Sequence, residues 1–218
     1  MNNDIITQIN DIRSHHASSN SKSVFSKKSK IDCAKMVLNA FDINTLLEST
    51  VVSIPDSHQL FVDYVIFKSF IIPELYDTMV SYTINKIVEN VKKYGKIELH
   101  INLNTLSVSG YYRYKDCVFA YSTNLYSIIP NFSDVLVAIH LYNIPSCIDT
   151  IAHLIDPFIP PDTKKKMIKY DNISSEKAIR TILEIICITS STNSQPSTPV
   201  DSVKKHASDN TQYLESYV

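Results

Sequence analysis

The chain has 218 residues, of which 44% are hydrophobic and 20% are charged, and its formal net charge is −1. This composition is typical of one soluble globular domain, and the balanced charge excludes the basic surface on which nucleic-acid-binding proteins depend. Only two glycines are present, which excludes the phosphate-binding loops of Rossmann-type and P-loop enzymes, because those loops need several residues without a Cβ atom.

The first residues and the cysteines indicate the compartment. Residues 1–10 are polar and lack the charged-then-apolar order of a signal peptide, and no apolar run reaches the roughly 20 residues that span a bilayer. The four cysteines form no CxxC pair, so their spacing argues against a zinc ribbon, and the missing secretion signal argues against a disulfide framework. We therefore expect a cytoplasmic protein with reduced thiols.

Both ends of the chain are predicted to be disordered. Residues 14–30 are rich in serine and lysine, and residues 190–210 are rich in serine, threonine, proline and lysine. Such segments bury too little apolar surface to offset the entropy lost on ordering. We therefore divide the chain into a disordered arm (1–30), a folded domain (31–189) and a disordered tail (190–218), and the tails are candidate segments for binding protein partners.

The first half of the folded domain alternates between helical and extended patterns. Residues 31–47 have a helical apolar repeat. Residues 60–72 are rich in β-branched and aromatic residues, which predicts a buried strand that ends at Pro73. The strongest predicted helix spans 76–93, with an apolar stripe, acidic residues near its start, and lysines followed by Gly95 at its end.

The second half continues this alternation. Residues 96–103 alternate apolar and polar side chains as a strand does, 116–129 suit a helix, and 135–142 form an almost wholly apolar strand of the kind that is covered on both faces. A helix at 146–155, a short strand at 166–170 and a helix at 174–187, capped by Ser174, follow. Strands alternating with helices predict βαβ units, so we expect an α/β fold with a single, mostly parallel sheet flanked by helices.

Residue patterns for catalysis or metal binding are absent from the sequence. No GxSxG, HExxH or paired-carboxylate motif is present, and Cys147 and His153 would point to different sides of one helix. His140 lies in the middle of a buried strand, where a hydrogen-bonded core histidine is the favoured interpretation. The tyrosines at 111–114 lie in a predicted loop beside Gly110 with few basic neighbours. We therefore expect no enzyme activity, cofactor, metal or nucleic-acid partner.

A collinear series of short motifs resembles the CRAL-TRIO lipid-binding domain family. The motifs, in chain order, are NLNTLS (102–107), Pro130, the strand at 135–142, NIP (143–145), DPFI (156–159) and DTKKK (162–166). The corresponding family motifs are a DLxGL strand end, YPE before the central strand, an NAP turn, a KPFL helix end and a TxxK step. Their order and separations match from about residue 130 to residue 166, so the chain resembles a divergent, minimal member.

The resemblance implies a lipid-binding site with two parts. In phosphoinositide-binding members the acidic residue of the YPE region and the lysine of the TxxK step help to hold the headgroup, and these positions fall on Asp134 and Lys166. An ammonium pairs with phosphate and a carboxylate accepts hydrogen bonds from hydroxyls. The alternative is that Lys166 belongs to a solvated lysine run and that Asp134 caps a strand.

The helix at 146–155 corresponds to the family's mobile lid over an acyl pocket, and its amphipathic pattern suits either opening at a membrane surface or permanent packing. Candidate residues of the lid and pocket are Val137, Ile139, Ile148, Ile151 and Ile155.

Departures from the family pattern leave two functions open. Thr105 replaces the glycine after the strand, Asp156 stands where a basic residue is usual, and the helical N-terminal subdomain has no clear counterpart. The first hypothesis is a non-enzymatic protein that binds a phospholipid or other hydrophobic ligand under the lid, for lipid transfer or for sensing a membrane that it contacts transiently. The alternative is a scaffolding protein that keeps the fold with a closed pocket.

Overall fold

The structure, a computed structural model, describes residues 2–19 and 27–192. These segments contain ten α-helices and five strands. The helices are α1 (Asn2–Ser19), α2 (Lys27–Ala40), α3 (Ile43–Thr50), α4 (Tyr64–Phe70), α5 (Tyr76–Tyr94), α6 (Val108–Ile128), α7 (Phe132–Val135), α8 (Ile148–Ile155), α9 (Pro161–Lys164) and α10 (Asn172–Thr192). The strands are β1 (Val51–Ser53), β2 (Gln59–Asp63), β3 (Ile97–Asn102), β4 (Leu136–Tyr142) and β5 (Met167–Lys169).

The five strands form one sheet in the order of the sequence. Strand β1 runs antiparallel to β2, and β2, β3, β4 and β5 run parallel to one another. Helices connect the parallel strands and cover the sheet, which confirms the predicted α/β fold with a mostly parallel sheet flanked by helices.

The pairing of β3 with β4 contains one irregularity. Ile97 pairs with Leu136 and Leu99 pairs with Ile139, so a two-residue step on β3 faces a three-residue step on β4. This is the geometry of a β-bulge, which interrupts the strict alternation of side chains between the two faces. Beyond the bulge the alternation is regular, and His100 pairs with His140.

The two faces of the sheet are covered differently. On one face, Leu60, Leu99 and Ile139 belong to the main hydrophobic core, which also contains Val80 of α5 and Leu125 of α6. On the opposite face a smaller core forms where α10 packs on the strands; its fully buried members are Ile54, Phe61, Tyr142 and Ile182. The sheet therefore separates two interiors of different size and composition.

Helix α5 shows how local signals determine an element. Asp77 lies in its first turn and Lys92 and Lys93 in its last, so each charge interacts favourably with the helix dipole. Gly95 ends the helix with φ at 69°, a left-handed conformation that costs glycine little because it lacks a Cβ atom. The prediction of a helix over 76–93 is confirmed.

Helix α1 lies where the sequence analysis predicted part of a disordered arm over residues 1–30. Ile5 and Ile9 are 6% and 2% exposed and join the main core, with Ile12 packed against it. These isoleucines recur at the spacing of one helical face. The helix can therefore bury apolar surface although the neighbouring residues are polar. Residues 20–26 of the arm lie outside the described residues.

The predicted tail at 190–218 begins inside a helix, since α10 continues to Thr192, while residues 193–218 lie outside the described residues. Asp171, not Ser174, caps α10, because its carboxylate accepts a hydrogen bond from the Ser174 N–H at 2.7 Å. Within the described residues no helix is both long and apolar enough to cross a membrane.

Two predicted boundaries differ from the structure because of helix caps. The strand predicted over 60–72 ends at Asp63, whose carboxylate accepts a hydrogen bond from the Val65 N–H at 2.7 Å and begins α4. The helix predicted from 116 begins at Val108, because the Ser107 hydroxyl caps it by accepting from the Gly110 N–H. The tyrosines at 111–114 therefore lie on α6 and not in a loop.

Candidate ligand-binding site

An apolar cavity of about 360 Å³ lies between the sheet and helices α6 and α8. Strands β3 and β4 contribute its floor through Leu99, Ile101, Ile139 and Leu141. The residues that α6 and α8 contribute are Gly110, Tyr111, Tyr114, Val118, Tyr121, Ser122, Leu125, Tyr126, Ile148, Ile151, Ala152 and Ile155. Because the lining is almost entirely hydrocarbon and aromatic, this cavity suits an apolar ligand group.

Helix α8, at the position where the sequence analysis predicted a lid, covers one side of the cavity. Its apolar side faces inward, with Ile151 only 3% exposed, whereas Asp149 and His153 lie on its exposed side. The Tyr111 hydroxyl of α6 donates a hydrogen bond to the Leu154 carbonyl at 3.2 Å, and the Ser122 hydroxyl donates to the Phe158 carbonyl at 2.7 Å. Two hydrogen bonds from side chains of α6 therefore hold α8 and the turn that follows it.

A second apolar cavity of about 230 Å³ lies beside the first, between α5, α6 and strands β2 and β3. The two cavities share lining residues, including Phe67, Leu99 and Ile101. Apolar space therefore extends along the sheet from the lid toward α5.

A pocket of different character, with a volume of about 630 Å³, opens among α1, α2, α4 and the first turn of α6. Four cationic side chains line it: Arg13, Lys30, Lys68 and Arg113. No aspartate or glutamate of the described segments is among its lining residues, and none of the four cations makes an ion pair with another described residue. We refer to this feature as the cationic pocket.

Lys68 is the most strongly perturbed cation of the pocket. Burial, followed by the charge of Arg13, lowers the pKa of Lys68 to about 8, although Asp63 acts in the opposite direction. Burial and the nearby Arg113 also lower the pKa of Lys30. These shifts mean that burial and the neighbouring cations outweigh the favourable charge of Asp63 at Lys68. The first turn of α6 adds the positive end of a helix dipole to the pocket.

Thr105 lies at the rim of the cationic pocket in a strained conformation. Its φ is 65°, in the left-handed region that β-branched residues rarely adopt. The Lys68 ammonium donates a hydrogen bond to its hydroxyl. Thr105, which the sequence analysis aligned with a glycine of the CRAL-TRIO pattern, thus has a backbone conformation that favours glycine and a hydroxyl that contacts a pocket cation.

The cationic pocket and the apolar cavity meet at two residues, Tyr64 and Gly110, which line both. A Cβ atom at Gly110 would lie 2.5 Å from the Tyr64 hydroxyl oxygen. The close approach of α6 to Tyr64 therefore favours glycine at this position, and Tyr64 and Gly110 form a wall that the charged and the apolar compartment share.

Four of the five predicted lid and pocket residues line the apolar cavity: Ile139, Ile148, Ile151 and Ile155. Val137 does not, and it is 44% exposed. Strict alternation along β4 would place Val137 on the same face as Ile139, but the β-bulge lies between them and changes the direction of the side chain.

The predicted headgroup residues lie outside both compartments. Asp134 is exposed on α7, and Lys166 is half-buried. The Lys166 ammonium donates hydrogen bonds to the backbone carbonyls of Ser133 and Leu136, at 2.7 and 2.6 Å. These contacts join the end of α7 to the start of β5, and the headgroup role of the pair stays a prediction.

The sequence analysis did not identify the cationic pocket. Its charges come from four different helices, so no local spacing connects them. One local signal was present, because Ser107 lies three residues before Gly110 and directly after a strand, as an N-cap does. Placing the start of α6 there would have identified the rim but not the cations.

Comparisons with known proteins show similarity only to solved structures. No family model matches the chain, and no curated protein matches its sequence. Among solved structures, the chain is similar to the crystal structure of Sfh5, a Sec14-family (CRAL-TRIO) protein, with a TM-score of 0.45 and 16% sequence identity. The match covers 72% of this chain and 66% of that chain, which is just under two thirds of its length.

Proposed function

We propose that the protein is a non-enzymatic carrier or sensor of one anionic amphiphile. The apolar cavity holds the ligand's hydrocarbon chain, and the cationic pocket holds its headgroup. The observation that carries this proposal is that the two compartments are neighbours and share Tyr64 and Gly110 as wall residues. Apolar surface favours hydrocarbon, and ammonium and guanidinium groups that make no ion pair within the described residues favour phosphate or carboxylate.

The size of the cavity narrows the ligand class. A volume of about 360 Å³ lies at the small end of the range of about 300–1,000 Å³ for ligand pockets. We therefore propose a single-chain lipid, such as a lysophospholipid or a fatty acid, and not a two-chain phospholipid. Release would require α8 to move, and we propose that it does so at a membrane surface, where an amphipathic helix gains apolar contacts.

Native mass spectrometry of the full chain tests the proposal. The protein is incubated separately with oleoyl lysophosphatidic acid, which is anionic, and with monoolein, which carries the same chain without the charge. We expect one bound lysophosphatidic acid per chain and weaker binding of monoolein. If neither lipid binds, the apolar cavity is not a ligand site and the scaffolding alternative is favoured.

Two matched pairs of variants separate the compartments. Ala152→Trp fills the apolar cavity and should abolish binding of both lipids, whereas His153→Trp adds the same side chain to the exposed side of α8 and should not.

Arg113→Gln, in the cationic pocket, should weaken lysophosphatidic acid binding about tenfold and leave monoolein binding unaffected. Lys115→Gln, an exposed charge change on the same helix, is its control. Equal effects of Arg113→Gln and Lys115→Gln would contradict the headgroup assignment.

A further inference from the structure

The face of the sheet opposite the apolar cavity carries a cluster of His58, Glu98, His100 and His140, which we refer to as the histidine cluster. Successive side chains on a strand point to opposite faces. Leu99 and Ile101 line the cavity, so Glu98 and His100 face away from it, and His140 pairs with His100 from the neighbouring strand.

The polar atoms of the cluster converge on one carboxylate. Glu98 Oε1 lies 2.6 Å from His140 Nε2 and 3.5 Å from His100 Nε2, and Glu98 Oε2 lies 3.3 Å from His58 Nε2. One ligand atom each from Glu98, His100 and His140 lies within 4.8 Å of the others. Ligand atoms around a tetrahedral zinc ion are about 3.3 Å apart, given Zn–N distances of about 2.0–2.1 Å. For zinc to bind in that geometry, the distance from Glu98 Oε1 to His140 Nε2 would have to lengthen from 2.6 Å to about 3.3 Å.

Tyrosine hydroxyls lie within hydrogen-bonding distance of the outer nitrogens of His100, which is buried, and His140, which is half-buried. His100 Nδ1 lies 2.9 Å from the Tyr142 hydroxyl, and His140 Nδ1 lies 2.8 Å from the Tyr170 hydroxyl. The rings of His100 and His140 are parallel, with centroids 4.6 Å apart. Each Nε2 is thereby directed toward Glu98. Metal-binding histidines in proteins typically have this kind of support at the second ring nitrogen.

One atom of the cluster has no hydrogen-bond partner. His100 is 7% exposed, and its Nε2 is buried without a hydrogen bond. Its distance of 3.5 Å to Glu98 Oε1 is too long for a good one. Buried polar atoms in native structures are nearly always satisfied, and an exception needs an explanation. A positive ion between His100, His140 and Glu98 would satisfy this nitrogen.

We propose that the histidine cluster binds one divalent transition-metal ion of the zinc class through Glu98, His100 and His140, with His58 as the fourth ligand on the solvent side. Imidazole with a single carboxylate suits such ions, whereas calcium and magnesium prefer sites made of oxygen ligands. The proposal departs from the expectation of no metal and gives His140 more than a hydrogen-bonding role. It is independent of the proposed lipid function, because the site lies on the other face of the sheet.

The test uses the full chain without a histidine tag, treated with a chelator and then dialysed against Zn²⁺. We expect one zinc per chain by elemental analysis, a rise of several degrees in Tm that Mg²⁺ does not produce, and a four-coordinate visible spectrum with Co²⁺. His58→Gln should weaken zinc binding at least tenfold without unfolding the protein, and Tyr170→Phe should weaken it about 10–100-fold.

His15→Gln is the matched control, since His15 lies on the exposed side of α1, far in sequence from the cluster. It should leave the zinc stoichiometry and the Tm shift unchanged. A folded wild-type chain that binds no zinc would overturn the proposal. Zinc binding that is lost in His15→Gln but retained in His58→Gln and Tyr170→Phe would also overturn it.

Discussion

Lys166 has a structural task at the position where the family resemblance places a headgroup ligand. Its ammonium donates hydrogen bonds to the Ser133 carbonyl in α7 and to the Leu136 carbonyl at the start of β4. A charged donor therefore links α7 to β5, which directly precedes the loop into α10.

Lys166→Met should lower the free energy of unfolding by about 2–3 kcal/mol, because it removes charge-assisted hydrogen bonds from half-buried carbonyls. Lys165→Met removes an exposed lysine that pairs only with Asp162 and should change stability by less than about 0.5 kcal/mol. Urea denaturation measures both values. Equal stability of the two variants, together with a selective loss of lipid binding in Lys166→Met, would favour the headgroup role.

Lys68 makes the cationic pocket sensitive to pH. Its pKa of about 8 lies below the ordinary value of 10.5, so the unfolded chain binds more protons than the folded chain between these values. The contribution of Lys68 to the free energy of unfolding therefore rises as the pH increases from about 8 to 10.5. A bound anion favours the charged ammonium, so anion affinity should change in the opposite direction.

Binding of dodecyl sulfonate, whose headgroup stays ionised, should weaken up to about tenfold between pH 7 and pH 9 as Lys68 loses its proton. Lys68→Arg keeps the charge and should flatten this dependence. Isothermal titration calorimetry below the micellar concentration measures it. A wild-type profile that does not change with pH, or one that Lys68→Arg leaves unaltered, would exclude Lys68 as an anion contact.

At the scale of elements, α1 connects the first residues to both the core and the site. Ile5 and Ile9 enter the main core, and Arg13 on the same helix lines the cationic pocket. Because one helix supplies both contacts, its packing also positions a pocket charge. Loss of the apolar contacts should therefore affect ligand binding at a distance.

Ile9→Ala should destabilise the protein by about 2–4 kcal/mol, because it removes a fully buried side chain from the core. Gln8→Ala changes an exposed neighbour on α1 and should have little effect. Urea denaturation gives the stabilities, and hydrogen exchange reports protection of the α1 amides. An arm without structure would give the same stability for both variants and no protected amides at 5–16.

At the scale of the whole molecule, the sequence predicted those parts of the fold that local signals determine. Helix α5, strand β3 and helix α8 have clear periodicity, and β4 is indicated by its continuous apolar run. The cavity residues Ile139 and Ile151 were predicted from the family resemblance and not from periodicity. The fold class follows from the alternation of these elements. Each of these features depends on residues close together in the chain, which is why composition and spacing suffice for them.

The remaining features depend on contacts between distant residues. The cationic pocket forms only when α1, α2 and α4 pack against the start of α6, and no spacing in the chain indicates that. Val137 was assigned to the pocket from the family resemblance, which left open the side of β4 that faces the cavity, and the bulge depends on the pairing of β4 with β3. The Glu98-x-His100 pattern places both residues on one face of β3, but the convergence on His140 depends on the register with β4.

The different side chains on the two faces of β3 and β4 also determine the register in which these strands pair during folding. A slip of one residue in this pairing would turn Glu98 and His100 into the apolar interior and expose Leu99 and Ile101 on the polar side. Such a misfolded form would bury unpaired charge and lose hydrocarbon burial at the same time. Misregistered intermediates should therefore be sparsely populated, and the central strand pair should select its own alignment before the short edge strands β1 and β5 join it.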